Sequence, residues 1–208
     1  MKKNSKIYLL KRNEILRVSG NLFLKNGFEK TTILEIAKEV GFTRNTIYSY
    51  FNSKDEIIIN IYLDSLEERF KFFDKKLSKG KTGLDKIKIY GDMIYKFYIK
   101  NPLYLSLQLY FLYNVDFIPN LSPEVYSKLC GQTKAPYEKI KGMILDGIED
   151  GSIKSDISVD SVNNYISYIF IAVLKKIVGP SAEKYCEKDR KGYYYQFLDI
   201  FIDGLATK

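Results

Sequence analysis

Residues 41–56 read GFTRNTIYSYFNSKDE and predict a short helix whose surface is built for recognition. Thr43 can cap this helix, because a threonine hydroxyl accepts a hydrogen bond from a free backbone N–H of the first turn. The exposed side of that turn carries Arg44, Asn45 and Thr46. These side chains form hydrogen bonds in fixed directions. A helix that only covers a core would carry Glu, Lys and Ala here, so the pattern indicates a partner outside the chain.

A second short helix precedes this one. Thr31 or Thr32 can cap it, Gly41 ends it, and its inward side consists of Ile33, Ile36, Ala37 and Val40. Two short helices joined by a three-residue turn that contains glycine predict a helix-turn-helix. The inward side of the later helix consists of Ile47, Tyr50 and Phe51.

Helices are also predicted on both sides of this motif. Apolar residues at helical spacing over 7–26, followed by Gly27, indicate a first helix with a glycine terminus. Ser53 can cap a helix that runs to about residue 79, with acidic residues in its first turn. The length of this helix suits a connector between two domains.

The remaining chain keeps the helical period. Helices are predicted over 84–100, 102–114 and 124–150, with loops at 78–83 and 115–123; Gly131 and Pro136 are expected to break or kink the third of these helices. The fold class is therefore all-α. We predict a three-helix N-terminal domain over 1–54 that contains the helix-turn-helix, and a larger helical domain over 55–208.

The last two predicted helices, about 159–178 and 183–206, carry apolar side chains on more of their circumference than one core requires. A helix that is apolar on several faces is buried on several faces. A second subunit is the favoured partner, and a fully internal position is the alternative.

Composition narrows the classes of function. The chain of 208 residues contains no histidine, which removes the commonest general base and zinc ligand. No phosphate-binding glycine motif is present, and no apolar run approaches the ~18 residues of a membrane span. We expect a cytoplasmic protein without enzymatic activity, metal or cofactor, in which Cys130 and Cys186 stay reduced.

The positive charge is confined to the N-terminal quarter. Residues 1–54 carry 11 lysines and arginines against 4 acids, whereas residues 55–208 carry 22 against 21. This asymmetry is typical of a nucleic-acid-binding module joined to a neutral body.

The second helix of a helix-turn-helix lies in the major groove of DNA. Arginine can contact guanine, asparagine can contact adenine, and a threonine methyl can meet a thymine methyl. Lysines neutralise phosphates. The candidate DNA-binding residues are Thr31, Thr32, Lys38, Thr43, Arg44, Asn45, Thr46, Tyr48, Tyr50 and Lys54, although a place in the core is favoured for Tyr50 and for Phe51.

The segment from Arg12 to Ile57 resembles the DNA-binding domain of the TetR family of bacterial transcriptional repressors. The matching residues are Ile15-Leu16, Leu22-Phe23, Gly27-Phe28, Thr31-Thr32, Ile36-Ala37, Val40-Gly41-Phe42, Thr46-Ile47-Tyr48, Tyr50-Phe51, Lys54 and Ile57. Residues 143–158, MILDGIEDGSIKSDIS, resemble a later helix and loop of that family. The resemblance implies a homodimer with a three-helix DNA-binding head. It also implies a body that binds a small molecule and pairs subunits through its last two helices.

The resulting hypothesis is a dimeric, sequence-specific repressor that leaves a pseudo-palindromic operator in double-stranded DNA when a small molecule binds. The candidate ligand-binding residues are Tyr95, Tyr98, Tyr104, Gln108, Phe111, Tyr137 and Met143. They favour a neutral or weakly polar aromatic or lipophilic effector, although each ring can equally fill a core. The alternatives are a DNA-binding protein of the same fold that acts structurally on the chromosome without a ligand, a helical enzyme, and a membrane-surface protein.

Overall fold

A computed structural model describes residues 5–113, 123–178 and 187–207, and all regular elements in these ranges are helices. The all-α prediction is confirmed. In chain order the helices are α1 (Lys6–Asn26), α2 (Ile33–Val40), α3 (Arg44–Tyr48), α4 (Lys54–Leu77), α5 (Gly83–Lys100), α6 (Pro102–Tyr113), α7 (Pro123–Glu149), α8 (Val159–Val178) and α9 (Glu187–Leu205). The predicted loop at 115–123 lies almost wholly outside the described residues.

The chain divides into two compact units. The first comprises residues 1–65 and 106–121, and the second comprises residues 66–105 and 122–208. The first unit contains the helix-turn-helix. The division of function between 1–54 and 55–208 stays a prediction.

The first unit is held together by aliphatic and aromatic side chains from α1 to α4. Ile15, Ile36, Ile47, Phe51 and Ile58 are at most 1% exposed. Each came from an apolar position of the predicted period, and each buried side chain of this size contributes roughly 1.5–3 kcal/mol through its removal from water. This core determines which sides of α2 and α3 remain exposed.

Side-chain caps begin helices, and a glycine ends one, at the positions that the sequence predicted. The Thr32 side chain accepts from the N–H of Glu35, and the Glu35 carboxylate accepts from the N–H of Thr32, which is a capping box. Gly41 adopts φ 75° and ψ 30°, the left-handed conformation that glycine reaches without a Cβ penalty. Ser53 accepts from the N–H of Glu56 and caps α4, as predicted.

The second unit is built around α5, which packs against α7, α8 and α9. Tyr194 is fully buried, and its hydroxyl donates to the carbonyl of Gly91 at 2.8 Å. A Cβ at Gly91 would collide with Leu198, so glycine allows α5 and α9 to approach closely. After α7, the N–H of Lys154 donates to the carbonyl of Leu205 at 3.0 Å and joins this loop to the end of α9.

Helix α7 runs without interruption from Pro123 to Glu149, so a break at Gly131 or Pro136 is wrong, and the alternative of a kink stays a prediction. Proline removes a single intrahelical donor. The apolar side chains of Leu129 and Ile140, on either side of it, are buried and keep both halves of the helix docked. Tertiary packing therefore outweighs the local cost of the proline.

No helix among the described residues is long and apolar enough to cross a bilayer.

Candidate nucleic-acid interface

The turn between α2 and α3 and the first turn of α3 form a surface of the first unit on which polar side chains are exposed. Ile47 is the buried residue of α3, and it anchors the helix to the core of the unit. Arg44, Asn45 and Tyr48 are exposed, whereas Thr46 is half-buried. The predicted recognition residues are therefore on the outside of the domain, although α3 itself is only five residues long.

Arg44 and Tyr48 act as a pair on this surface. The Nη2 atom of Arg44 donates to the Tyr48 hydroxyl at 3.2 Å. The guanidinium also lies over the tyrosine ring, 5.5 Å from its centroid. The contact holds the long arginine side chain along the helix, and it reduces the conformational entropy that the arginine would lose on binding.

The threonines at the start of α3 satisfy the free N–H groups of its first turn. The Thr43 hydroxyl accepts from the N–H of Thr46 at 3.1 Å, and the two hydroxyls lie 2.8 Å apart. Asn45 lies between them in sequence and is exposed. The α3 N-terminus thus presents two hydroxyls, one amide and one guanidinium in a single turn.

Thr32 and Lys38 lie on the exposed side of α2. Hydrogen bonds to the Glu35 carboxylate, first from the Thr32 N–H and then from its hydroxyl, lower the pKa of Glu35. The capping carboxylate is therefore ionised at neutral pH. The predicted contact of Lys38 with a phosphate stays a prediction.

Thr31 lies inside the domain and not on its surface. Its side chain is fully buried, and its hydroxyl donates to the carbonyl of Gly27 at 2.8 Å. This hydrogen bond closes the turn between α1 and α2. Of the two adjacent threonines predicted to bind DNA, Thr32 alone is exposed.

Lys54 and Tyr50 are half-buried and have partners within the unit. The Lys54 ammonium donates to the carbonyl of Phe28 at 2.8 Å, so it joins the start of α4 to the α1–α2 turn. The ring of Tyr50 stacks on Tyr8, with centroids 4.7 Å apart. Tyr50 therefore lies only partly in the core, whereas Phe51 is fully buried.

The sequence did not reveal the contacts between α1 and the recognition region. Lys11 places its ammonium 5.6 Å from the centroid of the Phe42 ring. Arg12 lies over Phe51 at 5.0 Å and donates to the side chain of Asn60. These pairs are far apart in sequence, and no local pattern could have identified them. Part of the N-terminal positive charge is therefore used to orient α1 against the motif.

These features define the class of protein. A capped helix-turn-helix with an excess of positive charge and with Arg44 and Asn45 exposed on its second helix is typical of helix-turn-helix transcriptional regulators. Residues 15–61 match the model of the bacterial regulatory proteins of the tetR family. The predicted resemblance to the TetR family is thereby confirmed for this segment.

The similarity extends beyond the matched segment. The chain is 24% identical over 198 residues to the HTH-type transcriptional repressor KstR2 of Rhodococcus jostii, covering 95% of this chain and 92% of that protein. The ketosteroid transcriptional regulator KstR2 of Mycobacterium tuberculosis has a similar fold, with a TM-score of 0.74, 18% identity and coverage of 99% and 97% of the two chains. FadR of Bacillus subtilis, solved in complex with stearoyl-CoA, has a TM-score of 0.71 at 18% identity, covering 93% of this chain and 98% of that one.

The candidate ligand-binding residues are distributed over both compact units. Gln108 and Phe111 belong to the first unit, where the Tyr62 hydroxyl contacts Gln108 at 3.2 Å and the Tyr62 ring stacks on Phe111. The other five belong to the second unit: Tyr95, Tyr98 and Met143 are buried, and Tyr104 and Tyr137 are half-buried. Their assignment to one pocket stays a prediction.

A small crevice with a cavity volume of about 20 Å³, partly open to solvent, lies in the second unit between the later part of α4, α5 and α7. We call it the α4–α7 crevice; it is lined by Arg69, Phe70, Phe73, Leu77, Tyr90, Pro136 and Lys139. The seven candidate ligand residues are not among these, but Tyr98 accepts a hydrogen bond from Arg69 at 2.9 Å.

Helices α8 and α9 match the predicted pattern of an apolar circumference. Each buries one side, and large apolar side chains remain exposed on the other: Tyr165, Tyr168, Ile169, Tyr193 and Ile200. Within the described residues, no group of three or more acidic or thiol side chains is placed to hold a metal ion.

Proposed function

We propose that the protein is a dimeric, sequence-specific transcriptional repressor that is released from its operator by a small, mostly apolar ligand. The DNA-binding part of this proposal rests on the first turn of α3. Arg44 and Asn45 are exposed there, and Ile47 of the same helix is buried and anchors it to the core. Arginine and asparagine at the start of a recognition helix read guanine and adenine in the major groove.

A dimer is required for this mode of binding. Two heads must enter successive major grooves roughly 34–36 Å apart, which predicts a pseudo-palindromic operator. The exposed apolar side chains of α8 and α9 support pairing of subunits through these helices. Isolated exposed apolar residues are ordinary, but five on two adjacent helices favour an interface.

Ligand control is proposed from the family and from the composition of the second unit. FadR of Bacillus subtilis, which shares the fold, was solved with stearoyl-CoA, a ligand with a long apolar chain. The second unit of this protein is rich in aromatic residues, which line mostly apolar ligand sites in general. Release from DNA then depends on how strongly the ligand prefers the conformation that does not bind the operator.

A structural role on the chromosome is the second candidate. It would need no ligand and little sequence preference, because phosphate contacts alone supply non-specific affinity. The positive charge of residues 1–54 is compatible with it, but the exposed Arg44 and Asn45 favour sequence-specific reading.

Fluorescence anisotropy separates the two candidates. The wild-type chain and Arg44→Ala are titrated onto duplex DNA from immediately upstream of the protein's own gene and onto a scrambled duplex at physiological salt. Arg17→Ala is the matched control, because Arg17 is exposed on α1 and already pairs with Glu14 at 2.7 Å. Selective binding that Arg44→Ala loses and Arg17→Ala keeps supports the regulator. Equal binding of wild type to both duplexes supports the structural role.

A further inference from the structure

One side of α1 contacts the chain just before and just after α3. Tyr8, Lys11 and Ile15 are spaced by three and four residues, so they lie on the same side of this helix. Ile15 is buried in the core of the first unit. Lys11 lies over the ring of Phe42, which precedes α3, and Tyr8 stacks on Tyr50, which follows it. The beginning of α1 therefore lies beside both ends of α3.

The first turn of α1 is held in place by a cap and by a ring contact. The Ser5 side chain accepts from the N–H of Tyr8 at 3.2 Å, and the Ser5 carbonyl accepts from the N–H of Leu9 at 3.1 Å. The rings of Tyr8 and Tyr50 stack with centroids 4.7 Å apart and planes inclined by 24°. The position of Tyr8 relative to the end of α3 is thus fixed before any partner binds.

Lys11 and Tyr8 both keep hydrogen-bond donors for a partner outside the chain. Lys11 is exposed, and none of the described residues offers a carboxylate to its ammonium. Its contact with the Phe42 ring leaves the charge and the three N–H donors of the ammonium in place. The Tyr8 hydroxyl likewise has no hydrogen-bond partner in the described part of the chain. Lysine and tyrosine are among the side chains that bind the phosphates of DNA.

We propose that this side of α1 is a second DNA-binding surface, on which Lys11 and Tyr8 bind backbone phosphates at the edge of the major groove that α3 enters. The inference rests on the proposed DNA binding and adds a surface that lies outside the helix-turn-helix. Phosphate contacts position a protein on DNA but carry no sequence information. Helix α1 therefore contributes affinity and orientation, while Arg44 and Asn45 select the sequence.

Salt titrations test the assignment of Lys11. The wild-type chain, Lys11→Met and Lys25→Met are titrated by fluorescence anisotropy onto the upstream and the scrambled duplex at several salt concentrations. Lys25→Met is the matched control, because Lys25 is an exposed lysine in the last turn of the same helix and its loss changes the net charge equally. We expect Lys11→Met to weaken binding to both duplexes about tenfold and to lower the slope of log K against log salt by about 1 for each head bound. Lys11→Arg keeps the charge and should restore most of the affinity.

Tyr8→Phe tests the second donor. It keeps the ring that stacks on Tyr50 and removes the hydroxyl, so it should weaken binding to both duplexes about threefold and leave thermal unfolding unchanged. Equal effects of Lys11→Met and Lys25→Met would overturn the inference. If Lys11→Met lowered only the discrimination between the two duplexes, with an unchanged salt slope, Lys11 would act by positioning α3 and the phosphate contact would be overturned as well.

The same titrations separate this inference from the proposed function. If the wild type prefers the upstream duplex and Lys11→Met behaves like Lys25→Met, the α1 surface is overturned and the sequence-specific regulator stands. If the wild type binds both duplexes equally and Lys11→Met alone weakens both with a lower salt slope, sequence-specific reading fails and the α1 surface stands. If the wild type binds neither duplex, both are overturned.

Discussion

Arg44 donates a hydrogen bond to Tyr48, one helical turn later, at 3.2 Å and covers the same ring with its guanidinium. The tyrosine therefore positions the arginine before DNA is bound. Arg44→Ala should cost roughly 1–3 kcal/mol of discrimination between operator and scrambled DNA. Tyr48→Phe keeps the ring but removes the acceptor, and it should cost less. Competition anisotropy with the two duplexes measures both effects; an undiminished operator preference in Arg44→Ala would contradict the assignment.

Replacing Lys38 should affect DNA binding, whereas replacing Lys54 should affect the stability of the protein. Lys38 is exposed, so Lys38→Met should weaken binding to all duplexes and lower the salt dependence of log K by about 1 without changing stability. The Lys54 ammonium binds the carbonyl of Phe28, so Lys54→Met should reduce the free energy of unfolding by roughly 1 kcal/mol. Salt titrations of DNA binding and urea unfolding measure the two properties. If Lys54→Met changed only the salt dependence of DNA binding and not the free energy of unfolding, the Lys54 ammonium would be assigned to a DNA contact instead.

Thr31→Val should destabilise the first unit without removing a DNA contact. Valine has a similar shape but leaves the carbonyl of Gly27 without its 2.8 Å hydrogen bond, at a cost of about 1–3 kcal/mol. Thermal unfolding followed by circular dichroism measures the loss. Thr133→Val is the control, because Thr133 is exposed on α7 and bonds only within its own helix. A large loss of operator affinity at a temperature where Thr31→Val is fully folded would argue for a direct contact.

Acid should weaken the second unit through Asp150. Hydrogen bonds from Ser152 and then from the N–H of Gly83 lower the pKa of Asp150. A folded-state pKa below the unfolded one stabilises the protein above the ordinary aspartate pKa of about 3.9, and the contribution is lost as the pH falls through the folded-state pKa. Wild-type Tm should therefore drop more steeply below about pH 4 than the Tm of Asp150→Asn. Asp156→Asn, at an exposed position in the same loop, should follow the wild type.

Charge placed on the exposed apolar side of α8 or α9 should separate the subunits of the proposed dimer. Tyr168 is 51% exposed and Ile200 is 67% exposed. Tyr168→Lys and Ile200→Lys should yield monomers in light scattering after gel filtration. Operator affinity should fall by about a hundredfold, because two linked heads bind far more tightly than one. Leu145→Lys, at an apolar position on α7 that is 48% exposed, should remain dimeric. Dimers in all three variants would exclude α8 and α9 as the interface.

Local features allowed much of this fold to be predicted. The predicted helix over about 159–178 agrees with the bounds of α8, and Ser53, Gly41 and Thr43 end or begin helices where expected. Helix caps and glycine turns depend on residues three or four positions apart, so the linear sequence contains the whole interaction. The outward position of Arg44 and Asn45 followed from the same period, because Ile47 determined which side is buried.

By itself, then, the sequence determined the helices, the helix-turn-helix and the side of it that faces outward, because these depend on short-range hydrogen bonds and on the helical period. Only the tertiary structure decided between the neighbours Thr31 and Thr32, one buried and one exposed. It also directed Lys54 to the carbonyl of Phe28, kept α7 continuous through Pro136, and brought Arg69 and Lys139 into one crevice. These outcomes depend on packing between segments distant in the chain, where burial and long-range hydrogen bonds outweigh local propensity.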